Sequence, residues 1–208
     1  MAPEGDGRAS LGRGTKGGLR LGIAHHLGWV VAVTASPDHE VVDRRRIELV
    51  AAGLPAAPVH HHGGAHRLHR HGEPLDDAAL AALVADVRAA AARSASEALD
   101  RLAASVAEPI SSMSLAAWPG GFPGDIAVQR RVPYESRADS IMYRQLLSEL
   151  GRARGFEVGF YDPKTVEAEA ARILGDRAHE VLYGPRATLG PPWSRDHRCA
   201  LAATIVTA

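Results

Sequence analysis

Two apolar runs in close succession constrain this chain most. Leu21–Ser36 reads LGIAHHLGWVVAVTAS, and EVVDRRRIELV (Glu40–Val50) follows almost at once. Short runs rich in Val and Ile, separated by turn residues, form strands more readily than helices. The first turn carries His25, His26 and Gly28. The second is Ser36-Pro37-Asp38, where Pro fixes φ and Asp accepts local backbone hydrogen bonds. Three strands are predicted, over 20–25, 28–35 and 40–49, as an antiparallel meander. Val41, Arg45, Ile47 and Leu49 do not make one perfect apolar face, since a charged Arg45 interrupts it, which predicts a bulge or an edge position for the third strand.

The rest of the chain alternates helices with strands. Residues 51–74 hold Pro, Gly and six histidines and are predicted to be a surface loop insertion. Leu80, Leu83, Val84, Val87, Ala91, Leu99, Leu102 and Val106 recur at helical spacing, which predicts a helix over 76–107, capped by Asp76 or Asp77 and ended by Glu108-Pro109. Ile110–Leu115 reads as a fourth strand, and the Pro/Gly cluster at 118–125 as a loop. Ser136-x-x-Asp139 resembles a capping box opening a helix over 136–153. Phe156–Tyr161 is a fifth strand, Asp162-Pro163 an N-cap and first helical residue, and 179–192 a loop. Ser194 or Asp196 caps a last helix containing CALAATIV.

Composition narrows the function classes. Lys plus Arg equals Asp plus Glu at 24 each, so no global basic bias advertises a polyanionic partner. The lone Cys199 excludes an internal disulfide and a multi-cysteine metal site, which fits a reducing cytoplasm. No apolar leader or membrane-length run is present, so no membrane partner is expected. Residues 1–19, Gly-rich and polar, are expected to be a disordered tail before a single domain at 20–208.

The order βββ-α-β-α-β-α-α resembles the RNase H-like fold and, within it, the RuvC-type Holliday junction resolvases. LGIAHHLGW resembles the opening strand and Gly-containing turn of that family, FYDPKTVEAEAA its fifth-strand segment, and DHRCALAA (Asp196–Ala203) its terminal helix. The likeness spans 20–206. It implies an α/β domain with a mixed five-stranded sheet flanked by helices. It also implies where carboxylates should stand, and several are missing. The first-strand carboxylate falls at Ala24, the last-helix carboxylate nearest the metal at Cys199, and the middle one near Ser112 or Ser114, while Asp196 is retained. Two-metal cleavage needs clustered oxygen anions to hold Mg²⁺, so these departures imply a degenerate site without ordinary Mg²⁺-dependent nuclease activity.

Three candidate constellations remain. If the fold is RNase H-like, the first turn faces the start of the last helix, so that His25, His26, Asp196 and His197 converge. Such a set suits acid–base work or binding of Zn²⁺ or another transition metal; the alternative is polar turn and cap residues. Arg130, Arg131, Arg137, Arg144, Arg152 and Arg154 crowd one segment with Glu135, Asp139 and Glu149. Arg130, Arg131, Arg137 and Arg144, with Arg186 on the stiff loop before Trp193, are candidate phosphate contacts; the alternative is a solvated face with internal ion pairs. His60, His61, His62, His66, His69 and His71 form a compositional cluster without a defined scaffold. Ser111, Ser112 and Ser114 lack a nucleophile elbow, and no Walker A or GxGxxG string occurs.

Three functions follow from this reading. The first is a resolvase-like protein with a degenerate site that binds nucleic acid or a nucleotide phosphate. The second is a metal-assisted hydrolase with a rebuilt His/Asp site. The third is a non-catalytic interaction module or homodimer.

Overall fold

The computed structural model of this chain describes residues 17–66 and 70–208. Most of the expected tail, and His69, lie outside them. Five strands form one sheet in the order β3-β2-β1-β4-β5: β1 Leu19–His25, β2 Trp29–Ala35, β3 Val41–Glu48, β4 Ile110–Ala116 and β5 Glu157–Tyr161. β1–β2 and β2–β3 pair antiparallel, whereas β1–β4 and β4–β5 pair parallel. This is the mixed sheet expected from the sequence, a meander followed by parallel crossovers. β3 is both an edge strand and irregular, with its register shift opposite Thr34/Ala35. β1 starts at Leu19, inside the segment assigned to the tail.

Strand alternation divides the core in two. Leu19, Leu21 and Ile23 point with Val30, Met113 and Leu115 towards α1 (Asp77–Ser105) and α3 (Glu135–Ala153). Ala24, Val31, Val33 and Ala116 point the other way, towards α4 (Val166–Leu174) and α7 (Arg195–Val206). Small residues dominate that second layer and let α7 lie close to the sheet. Gly22 sets the limit: a Cβ there would come within 1.8 Å of the Ala200 carbonyl oxygen. Ser114 Oγ and Thr207 Oγ1, 2.7 Å apart, tie β4 to the end of α7.

The His-rich segment departs from the expected loop. Val59–Gly63 forms a π-helical turn with Val59 and Gly63 buried. Glu135, Asp139 and Tyr143, four residues apart on one ridge of α3, hold it. Tyr143 Oη donates to Ala56 O at 2.9 Å, and Val59 N and His60 N donate to the two Asp139 oxygens at 2.9 and 3.0 Å. Ala65 N donates to Glu135 Oε2. The proposed Ser136/Asp139 capping box is therefore absent: α3 starts at Glu135 with Tyr134 at the N-cap, and the Asp139 carboxylate serves the strap instead. Asp76 caps α1, accepting from Ala79 N.

Other boundaries shift. Residues 126–129 form a short helix, α2. Asp162 closes a turn, with its carbonyl accepting from Thr165 N and Val166 N, and α4 begins at Val166 rather than at Pro163. The loop assigned to 179–192 contains two short helices, α5 (Ala178–Tyr183) and α6 (Pro185–Leu189). Pro185 at the first helical position starts α6, because its missing N–H would have no helical partner there. No helix among the described residues is long and apolar enough to cross a membrane.

Candidate functional site

The C-terminal ends of β1, β4 and β5 lie at one edge of the sheet because these strands are parallel. Ligands of open α/β sheets bind outside such strand ends. A cavity of about 370 Å³ opens there. Its floor is small and apolar, made by Ala24 at the end of β1, Ala116 at the end of β4 and Cys199 on α7. Arg144 from α3 forms one wall. The first turn of α7, with Arg195 and Asp196, forms the other, and His25 and His26 complete the rim.

On β4 the residue that reaches the cavity is Ala116, not Ser112 or Ser114. Ser114 is fully buried on Thr207, and Ala116 lies one pleat further along the same face. Three small side chains, Ala24, Ala116 and Cys199, thus line this part of the cavity. Among the described residues, Asp196 is the one carboxylate lining the cavity, and its Oδ2 lies 3.1 Å from His26 Nε2. No group of three or more His, Cys, Asp or Glu among the described residues is arranged to hold a metal ion. The residues present do not fit a Mg²⁺ cluster.

Of the four convergent residues expected from the sequence, the structure brings three together. His26 meets Asp196 and stacks on Trp29, with ring centroids 3.9 Å apart. His25 lines the same cavity. His197 does not, since it stands three residues after Ser194 and closes the capping box of α7. Its Nδ1 sits 2.8 Å from Ser194 Oγ and 3.2 Å from Ser194 N. It faces Arg44 and Trp193 on the neighbouring side of Asp196, and burial, followed by the Arg44 charge, lowers its pKa.

His25 and Arg144 define the cavity's electrostatics. Burial drives the His25 pKa down to about 3, aided by the charge of Arg144 and then by His26, so the ring is neutral at ordinary pH. Its Nε2 is buried with no hydrogen-bond partner among the described residues. Arg144 Nε and Nη2 donate to Ser140 O and Oγ at 3.1 and 2.9 Å, and Nη1 donates to Ala117 O at 2.6 Å. These acceptors are all neutral, and no carboxylate among the described residues pairs with it. Burial lowers the Arg144 pKa. A half-buried cation without a counter-ion is costly. Tyr161 donates to Ile23 O at 2.7 Å and accepts from Cys199 Sγ at 3.7 Å, and burial raises the pKa of both the phenol and the thiol. Neither is poised as a nucleophile.

The arginines grouped by sequence do not make one surface. Arg130 is a structural clamp, donating to Gly63 O at 3.0 Å and Leu75 O at 2.7 Å and pairing with Asp77. With Arg131 it lines a separate depression beside the His-rich strap. Arg154 is held by Ser96 and Asp100. Arg137 is exposed on α3 and Arg186 on α6, outside the strand-end cavity. Trp193 lids the core, with Nε1 donating to Leu182 O at 2.8 Å. Sequence reasoning missed Arg195 and Ala116. The available signals were the N-cap at Ser194, which starts α7 at Arg195, and the alternation of β4.

No protein-family model matches the chain, and no curated protein sequence does. Among solved structures, T. thermophilus RuvC in complex with a Holliday junction substrate is similar, at 12% sequence identity over 90% of this chain and 90% of that one, with a TM-score of 0.47.

Proposed function

We propose that this chain binds a phosphate-bearing ligand in the strand-end cavity and does not carry out Mg²⁺-dependent phosphodiester cleavage. The observation that carries the reading is Arg144, a half-buried guanidinium that lines the cavity and, among the described residues, donates only to neutral acceptors. An oxyanion supplies the missing counter-charge. Arg195 at the rim adds a second cation, and the small floor at Ala24, Ala116 and Cys199 leaves room where carboxylates would repel the ligand. The internal commitment of Arg130 and Arg154 favours a local phosphate contact over a long backbone track.

Binding of branched, duplex and single-stranded DNA, and of a nucleoside monophosphate, is measured by equilibrium dialysis over a salt series. The reading predicts saturable, salt-weakened binding of at least one of them that Arg144→Gln abolishes, and no cleavage with Mg²⁺. No salt-sensitive binding, or Mg²⁺-dependent cleavage lost in Asp196→Asn, overturns it.

A second reading rests on the His26–Asp196 contact, which orients an imidazole for acid–base work in a metal-assisted hydrolase. Elemental analysis of untagged protein tests it. Stoichiometric metal that His26→Ala removes favours it, and unchanged or absent metal counts against it. The third reading, a homodimer or interaction module, is tested by sedimentation.

A further inference from the structure

We infer that His25 is a specificity-determining residue of the strand-end cavity, donating a hydrogen bond from Nε2–H to an oxygen of the bound oxyanion beside Arg144. This rests on the phosphate-binding reading and deepens it, because it assigns the second group that recognises the anion.

Two residues that line this cavity carry incomplete hydrogen-bonding groups. Arg144 carries five N–H donors, of which the Ser140 and Ala117 contacts use three. Two remain, enough to fork onto an oxyanion. His25 lines the same cavity, and its Nε2 has no partner among the described residues. A buried polar atom left unpaired costs about 1–3 kcal/mol, so a ligand that satisfies it gains affinity without any new apolar contact. The position next to Arg144 decides the sense of the bond. An oxygen drawn to the guanidinium is a hydrogen-bond acceptor, so the imidazole nitrogen that meets it carries the proton. A second cation at that depth would face the Arg144 charge at close range, whereas a neutral ring does not. Burial and Arg144 keep His25 neutral, so it can donate without adding a second positive charge at pH values where an exposed histidine becomes charged. His26 is occupied differently, stacked on Trp29 and directed to Asp196.

Inorganic phosphate is the probe, titrated by calorimetry into the full chain and into Arg144→Gln, His25→Gln and His25→Phe. In parallel, ¹⁵N-edited histidine spectra of the wild-type protein follow the His25 ring. The expected result is saturable binding to wild type and retention within about threefold in His25→Gln, which keeps a neutral N–H. His25→Phe is expected to weaken binding about tenfold or more. The His25 Nε2–H tautomer and a phosphate-dependent shift at that nitrogen should appear at the calorimetric midpoint. Wild-type binding that His25→Phe leaves unchanged, or a spectrum with the proton on Nδ1, overturns the assignment and leaves the phosphate reading standing. Absence of wild-type phosphate binding overturns both. The spectrum separates a ligand contact from a purely structural role, because a structural histidine would not shift with phosphate.

Discussion

Acidification pulls His25 and Asp139 in opposite directions, and the two can be separated by substitution. His25 has its pKa lowered from 6.5 to about 3 by burial, Arg144 and His26. Between those values the unfolded chain holds a proton that the native state lacks, so stability rises with pH, by about 1.4 kcal/mol per unit. Over the full window the loss on acidification is about 5 kcal/mol. Asp139 has its pKa raised from 3.8 to about 6, because burial outweighs the hydrogen bonds from Val59 and His60. Between those values the native state holds the proton and the unfolded chain does not, so stability falls as pH rises, by about 3 kcal/mol in all. From pH 4 to 6 the two slopes nearly cancel. His39 and His197, whose pKa values burial also lowers, add to the His25 side. Urea unfolding at pH 4, 5 and 6 tests this. His25→Gln should become less stable relative to wild type as pH rises through that window, by about 3 kcal/mol. Asp139→Asn should gain by a similar amount over the same window. Both variants running parallel to wild type would refute the burial argument for these two groups.

Gly22→Ala should destabilise the fold by about 3 kcal/mol, read by thermal denaturation, because the new Cβ meets the Ala200 carbonyl and α7 cannot back away. Tyr143→Phe leaves the Ala56 carbonyl without its donor and should cost about 1–2 kcal/mol in urea unfolding, with faster hydrogen exchange at residues 57–66. Arg130→Ala should lower stability through the lost Gly63 and Leu75 contacts while leaving phosphate affinity unchanged, whereas Arg144→Gln should lose phosphate affinity.

Strand runs with short turns were legible from the first fifty residues, and so was the mixed sheet they open. Gly22 was legible only as a small residue in a strand; its packing role needs α7 to be placed. The strap at 59–66 was not legible. Its His/Gly composition has no period, and what orders it is a ridge of α3 some eighty residues away, where Asp139 meets Val59. The same carboxylate defeated the capping-box reading, since a local motif loses when burial offers its side chain other donors. At the site, His26 meets Asp196 across the first turn and the last helix, and Ala24 and Cys199 line the same cavity. His197 went astray because its spacing from Ser194 also suits a helix cap, and the cap won. The arginine cluster misled for a related reason. Charge density along a sequence does not tell a clamp such as Arg130 from a cation facing a cavity such as Arg144.

The most direct test of the account is a calorimetric titration of inorganic phosphate into wild type and Arg144→Gln at low, constant ionic strength, with unfolding midpoints measured on both. The account predicts one saturable site in the wild-type chain and at least tenfold weaker binding in a variant that remains folded. Equal affinity in a folded Arg144→Gln protein, or no saturable binding to wild type, would contradict it.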